Sequence, residues 1–493
     1  MESADPTPRR LTPRQLEVLE LMSKGLTNRE IANVLGIAAG TAKIHVSAII
    51  EALEVSNRTE AAMVLQDFLT DGDGPSRVPG FGSRPALAVL PFDSMTPGEE
   101  QEFFCDGLVE DLTTRLAAWR WFPVISRSSA FSFKGQRIDA GTLGRKLGAR
   151  YLVEGSARRA GKRVRIHVQL IDASSGEHIF AQQFDRDLDD VFAVQDEVAE
   201  ALLGALCPAL LQFEALQAER RPATSLTSWD RLVRAMAHLA RQSRLEIELA
   251  IEALDALCED EPTLPHAHAA RAAAALLDGM QRIGESQLRT LAPEQAQQSL
   301  LEGLGAFAEA ERCGRRAVEL DPLDSTAYTA LGWGLLLLAR PSESRVALER
   351  ALELNPSSAL ACFALGVLAL REESGAEPAA LLERAVRLSP RDSMVHHFLG
   401  ALAGARLLTG DYEAAEDAAR RSVACEPEGS MSYRPALAAA LAHLGRIDEG
   451  RAVFDEVLET SPHFNLDASR LVAPPGLMQR LESAFERLGV DLQ

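Results

Sequence analysis

The chain is poor in the features that carry covalent or metal chemistry. Its six cysteines (105, 207, 258, 313, 362, 425) are scattered and form no C-x-x-C pair. That excludes a zinc ribbon or a disulfide framework and fits a reducing cytosol. Positive charge is also short: 51 Lys+Arg face 71 Asp+Glu, a net charge of −20. The deficit is uneven, because residues 220–493 hold 28 Lys+Arg and 40 Asp+Glu. That half is a poor nucleic-acid surface, and its acidity favours solubility and basic partners. Uninterrupted apolar runs stay short, Leu331 to Ala339 being among the longest, so no transmembrane helix is expected. No basic n-region leads into an apolar h-region, so no secretory signal is expected.

Catalytic motifs are missing as well. No G-x-G-x-x-G follows the first strand-like run, and there is no nucleophile elbow. The Gly161-Lys162 pair lacks the earlier glycine and following Ser/Thr of a phosphate loop. The acidic stretch Asp185 to Asp190 lacks the glycine and glutamate placement of a calcium loop and reads as helix-start acids. His266, His268, His396 and His397 have no Cys or carboxylate cluster to complete a metal site, and the adjacent pair is expected on different helix faces. The sequence therefore predicts no enzyme, no cofactor and no metal.

What is present is ordinary globular composition, 46% hydrophobic and 25% charged over 493 residues, enough for about three domains. Near the start, Thr12-Pro13-Arg14-Gln15, Thr27-Asn28-Arg29-Glu30 and Asn57-Arg58-Thr59-Glu60 each carry a helix-opening capping signal. Between the last two lies a helical period from Gly40 to Leu53. Four short helices joined by turns make a helix-turn-helix unit, whose second helix can enter the major groove. In the third helix Ala42, Val46, Ile49, Ile50 and Leu53 recur at three and four, marking a core face. Lys43, Ile44 and Ser47 lie opposite. A cation, an aliphatic side chain and a hydroxyl can meet guanine, a thymine methyl and either base edge. Thr41 and Asn28 sit near helix starts suited to phosphate. The plainer reading is a helical packing unit with a solvated polar face.

These residues, from Leu11-Thr12-Pro13 through Gly25-Leu26-Thr27-Asn28-Arg29-Glu30-Ile31-Ala32 and Thr41-Ala42-Lys43-Ile44-His45-Val46 to Asn57-Arg58-Thr59-Glu60-Ala61, resemble the LuxR-type helix-turn-helix domain. The resemblance implies binding of promoter double-stranded DNA, with Asn28, Thr41, Lys43, Ile44, His45 and Ser47 as DNA-binding positions and a homodimer through the fourth helix. Departures are Ala38 in place of a capping serine, about 1 kcal/mol of local stability, and Gly40 in the first turn. Ala42 and Ala52 replace a usual valine and lysine, and Ser47 is often a cation. Residues 1–70 hold 7 Lys+Arg and 9 Asp+Glu, no basic footprint. A second reading is therefore a scaffold whose helix-turn-helix does not bind DNA.

Residues 71–85 are rich in Gly and Pro and read as a flexible linker. After them the pattern is βαβαβββα. It starts with the apolar run Ala86 to Phe92, then a helix-start signal at Thr96-Pro97-Gly98-Glu99 with a helical pattern to about Trp119, and a strand Pro123 to Ser126. A helix Thr142 to Leu147 is stopped by Gly148. Strands Tyr151–Arg159, Lys162–Asp172 and His178–Asp185 precede a closing helix, about Leu188 to Leu211. That order implies an α/β sheet with an antiparallel part. Arg158, Arg159, Lys162, Arg163 and Arg165 cluster on one hairpin; a phosphate contact and a solvated turn are the alternatives. Ala88-Val89-Leu90-Pro91-Phe92, Phe104-Cys105-Asp106-Gly107-Leu108, Tyr151-Leu152-Val153-Glu154-Gly155-Ser156 and Phe184-Asp185-Arg186 together resemble a TolB-like amino-terminal domain. The resemblance implies a non-catalytic signalling or assembly module.

Pro322, Pro356, Pro390, Pro427 and Pro462 are spaced 34, 34, 37 and 35 apart. Leu331-Gly332, Leu365-Gly366 and Leu399-Gly400 keep the same period. A period near 34 with proline after each second helix is the tetratricopeptide (TPR) signature. Such an array is expected to present a groove for a protein or peptide partner, the alternative being a rigid spacer or self-association surface with no peptide groove. The expected organisation is multidomain. Residues 1–70 form an all-α helix-turn-helix domain, 71–85 a linker, and 86–212 an α/β TolB-like domain with a mixed sheet. Residues 213–228 form a connector, and 229–465 an all-α TPR solenoid with an insertion near 281–304. Residues 466–493 carry a capping helix. The expected function is a cytoplasmic bacterial transcription regulator.

Overall fold

The computed structural model describes residues 39–52, 84–187, 190–222, 225–287, 293–390, 392–425, 433–460 and 473–490, with positions 15, 18, 21, 22, 31, 32, 35 and 466. The first element is helix α1, Ala39–Ala52. Ala42, Val46 and Ile49 are buried along it, and Val18, Met22, Ile31 and Ala32 are buried in the segments before it. The three-and-four spacing thus forms the inner face; the side chain of Ile50, and Leu53, lie outside the described residues.

The α/β unit begins with β1 (Leu87–Val89), β2 (Asp93–Ser94) and helix α2 (Glu99–Trp119). Glu99, Glu100 and Glu102 crowd the first turn of α2, where the helix dipole favours carboxylates. Helices α3 (Arg127–Phe131) and α4 (Ala140–Leu147) follow. Asp139 caps α4 by accepting from the Thr142 amide, and Gly148 ends it at φ 65, a left-handed conformation that costs glycine nothing. Strands β3 (Tyr151–Ala160), β4 (Arg163–Asp172) and β5 (Glu177–Asp187) lead into helix α5 (Val191–Glu219). The sheet order is β1-β3-β4-β5, with β2 paired to β3 off that path. β1 runs parallel to β3, while β3, β4 and β5 are antiparallel, so the sheet is mixed. The strand expected at Pro123–Ser126 is reduced to one bridge, Leu87 to Val124.

Among the described residues twelve helices then pair. They are α6 (Ser228–Ala240) with α7 (Arg244–Asp260), α8 (Pro265–Gln287) with α9 (Pro293–Leu320), and α10 (Ser325–Leu337) with α11 (Pro341–Leu354). Next come α12 (Ala359–Arg371) with α13 (Glu377–Leu388), α14 (Val395–Thr409) with α15 (Tyr412–Ala424), and α16 (Arg434–His443) with α17 (Ile447–Thr460). Helix α18 (Pro475–Arg487) closes the series, its Leu477, Leu481 and Phe485 buried. Pro262, Pro322, Pro356 and Pro390 each stand two residues past a helix end, where proline bars continuation. Gly332 and Gly366 let paired helices touch: a Cβ would stand 2.6 Å from Leu348 Cγ and 2.8 Å from Leu382 Cγ.

Two expectations change here. The insertion near 281–304 is mostly helix: α8 runs to Gln287 and α9 starts at Pro293, so the second hairpin is lengthened. The closing helix of the α/β unit does not stop near Leu211, and residues 213–219 extend α5 instead of forming a connector. The reason is burial: Glu214, Ala215 and Ala218 are covered on both sides.

Candidate nucleic-acid interface and its coupling to the repeats

The DNA-binding positions expected from sequence all lie on α1 except Asn28, which falls outside the described residues. On α1, Thr41 and Lys43 are exposed and His45 is half-buried, with Ala42 and Val46 buried between them. Ile44 and Ser47 lie within the same helix, and their side chains fall outside the described residues. A helix with a buried aliphatic face and a hydroxyl and ammonium turned outward can lie in a groove and donate to phosphate or base edges.

The rest of the chain is joined more tightly than its sequence suggests. One buried core runs from Leu87 in the sheet through α5 to Ala274 in α8, so the sheet and the first helix pairs share an interior. At its centre Arg150 donates to Asp172 at 3.0 Å and to Glu214 at 2.8 Å, all three buried. The Tyr151 hydroxyl also donates to Glu214, and Trp229 on α6 donates its indole N–H to the other Glu214 oxygen at 2.5 Å. Burial, then the adjacent Glu214 carboxylate, pushes the Tyr151 phenol well above its ordinary value. A satisfied network of this kind holds its elements in one arrangement. Here it pins α5 and α6 to β3. Phe122 packs edge-on against Trp229 at 5.1 Å, and Trp121 against His266 at 5.5 Å.

The sheet domain also docks along the loops that precede α10, α12 and α14. Arg120 pairs with Asp321 at 2.7 Å. Trp121 donates to Thr326 at 3.2 Å, and Arg115 to Ser357 at 3.0 Å. Gly204 on α5 lies against the Leu388 carbonyl, where a Cβ would collide. Reading from sequence missed Glu214 and Gly204. The available signal was a carboxylate at a core-facing position, four residues after Leu210 and four before Ala218.

Three cations of the β3–β4 hairpin pair with acids: Arg165 with Asp185 at 2.6 Å, Arg159 with Glu100 at 3.3 Å, and Arg163 with Asp187 at 3.8 Å. Asp190 caps α5, accepting from Phe192 and Ala193. The expectation that His396 and His397 point apart is overturned: both are buried and their rings lie 3.9 Å apart. Their rotamers swing together to fill one space, and His397 meets the Tyr433 hydroxyl at 2.9 Å. Among the described residues no group of three or more His, Cys, Asp or Glu is placed to hold a metal. One described helix, α5, is long and apolar enough to cross a membrane by length and composition. In this structure it is a core helix, with Val198, Leu202, Leu206 and Leu210 buried.

The described residues thus combine a helix with one buried and one exposed face, a small α/β domain and an array of paired helices. More particularly, residues 9–65 match the bacterial regulatory proteins of the luxR family, and the chain carries that domain at its amino end. Residues 83–201 match the second domain of HilA/YgeH-like transcriptional regulators. A Rhizobium meliloti (strain 1021) protein bearing the name adenylate cyclase 3 is 39% identical over 200 residues, 41% of this chain and 34% of that protein. The transcriptional regulatory protein DesR of Bacillus subtilis (strain 168) is 51% identical over 51 residues, 10% of this chain and 26% of DesR. The chain thus spans about a third or less of either relative. A solved TPR protein of Thermus thermophilus is 22% identical, covering 41% of this chain and 98% of that one at a TM-score of 0.29. At that score it adds nothing to the helix pairs seen directly.

Proposed function

We propose that this chain is a DNA-binding transcription regulator acting in the cytoplasm, with α1 as its recognition helix. The observation that carries the reading is the division of α1, with Ala42, Val46 and Ile49 buried and Thr41 and Lys43 exposed, inside a segment matched to the luxR family. The names of relatives such as DesR support it. In this reading Lys43, Ile44 and Ser47 read bases, while Asn28, Thr41 and His45 contribute backbone contacts. The protein binds promoter DNA as a homodimer. The TolB-like domain and the TPR array take in a signal through protein partners. The chain acts by binding and not by catalysis, and the cyclase activity in one relative's name is not carried over. Formation of cyclic AMP from ATP by the intact protein would refute that last point.

The test of the main reading is salt-dependent binding of the intact protein to genomic DNA fragments, beside Lys43→Ala. The expected result is selection of a recurring site, weakened by salt because phosphate contacts release counterions. Losing one base contact should weaken that site about tenfold or more. Equal, feeble binding by both proteins would move the chain to the scaffold reading, which the net acidity of residues 1–70 favours. A monomer in sedimentation, with and without the selected site, would remove the homodimer.

A further inference from the structure

The lengthened second hairpin builds a groove that none of the contacts above uses. It has a volume of about 920 Å³ and lies between α7 and α9, with α8 along its floor. Its walls carry seven carboxylates against two guanidiniums. Four of the acids, Glu248, Glu252, Asp255 and Glu259, repeat along one face of α7. Asp278 on α8 and Glu302 and Glu309 on α9 face them. Internal pairing accounts for five of the seven: Asp255 with Arg271 at 2.5 Å, Asp278 with Arg282 at 2.7 Å, Glu248 with Arg244 at 2.7 Å, Glu302 with Arg282, and Glu309 with Arg312 at 2.5 Å. Glu252 and Glu259 are exposed and have no ion-pair partner among the described residues.

Acidity alone is common on helical surfaces. What sets this groove apart is two unsatisfied polar atoms at its floor. Asp278 is only 6% exposed and Arg271 9%, yet Asp278 Oδ1 and Arg271 Nη1 are buried without a hydrogen-bond partner. Buried polar atoms are almost always paired. One of these needs a donor and the other an acceptor. A peptide bearing lysine or arginine supplies both, a charged N–H from its side chain and a carbonyl from its main chain. A bare cation would satisfy only the carboxylate. On the same helices Leu245 and Leu301 are 63% and 57% exposed.

We propose that this groove binds a basic amphipathic segment of a partner protein, with one lysine or arginine reaching Asp278 and further cations along Glu252 and Glu259. The inference rests on the reading of the repeat array as partner-binding, and is independent of DNA binding.

The test uses the intact chain and three fluorescein-labelled helical peptides of one leucine pattern, with the polar face made of arginine, glutamine or glutamate. Anisotropy at physiological salt should show saturable binding of the arginine peptide, weakened by added salt. The glutamate peptide should not bind. Glu252→Gln with Glu259→Gln should weaken binding about fivefold, as expected for exposed charge pairs. Asp278→Asn should weaken it about thirtyfold or more, as for a buried charged partner. Circular dichroism checks that each variant is folded; if Asp278→Asn is not, the exposed double variant decides. Binding of all three peptides alike, or unchanged affinity in the folded variants, would overturn the groove chemistry and leave the array a binding surface of another kind. Binding of none would overturn the inference, while the DNA reading keeps its own salt titration.

Discussion

His397 offers a sharp test of how the repeat array is built. Its imidazole is buried, and that burial, with the neighbouring His396, pushes its pKa down from 6.5 to about 3. The ring is therefore neutral in the fold, with the Tyr433 hydroxyl against its Nδ1. Above pH 6.5 the unfolded chain is neutral there too, and stability is full. As pH falls below that, the unfolded chain takes up a proton that the folded chain refuses until about pH 3. Stability is lost across that window. Worked through the linkage relation, the loss between pH 7 and pH 5 is about 2 kcal/mol from this one group. His397→Gln keeps a polar partner for Tyr433 and removes the titration. Urea unfolding of the intact protein, followed by far-ultraviolet circular dichroism at pH 7, 6 and 5, reads the difference. Wild type should lose about 2 kcal/mol more than the variant over that range. Parallel losses in the two proteins would refute the argument, because the remaining histidines are common to both.

The other expectations concern the joints of the molecule. Arg150→Ala leaves Asp172 and Glu214 buried without their shared cation, and should cost about 3–5 kcal/mol in urea unfolding. Gly204→Val drives a side chain into the Leu388 carbonyl. It should cost about 1–3 kcal/mol and raise hydrogen exchange in α13 and the middle of α5 while the sheet strands keep their protection. Asp190→Ala removes the cap on Phe192 and Ala193 and should lower stability by about 1 kcal/mol in the same urea assay.

Much of the local structure was legible in the chain, because helix faces and caps are set by near neighbours; the strand expected at Pro123–Ser126 and the end of α5 were not, because pairing and burial set them. A three-and-four spacing in α1 reports a helix face. Asp139 and Gly148 bracket α4 because a carboxylate satisfies the first amides and glycine tolerates a positive φ. The period near 34 exposed the helix pairs, since each pair repeats the same small residues and the same terminating proline. The candidate recognition positions, Asn28 apart, were placed on one short stretch that forms α1. The tertiary structure alone decided how these pieces meet. Nothing near Glu214 in the chain announces Arg150 or Trp229, 64 and 15 residues away. A buried carboxylate is held only by what the fold brings to it. The same holds for Gly204 against Leu388, for the two histidine rings that rotamers bring together, and for the α7–α9 groove. Its unsatisfied Asp278 and Arg271 became visible only once three helices enclosed them.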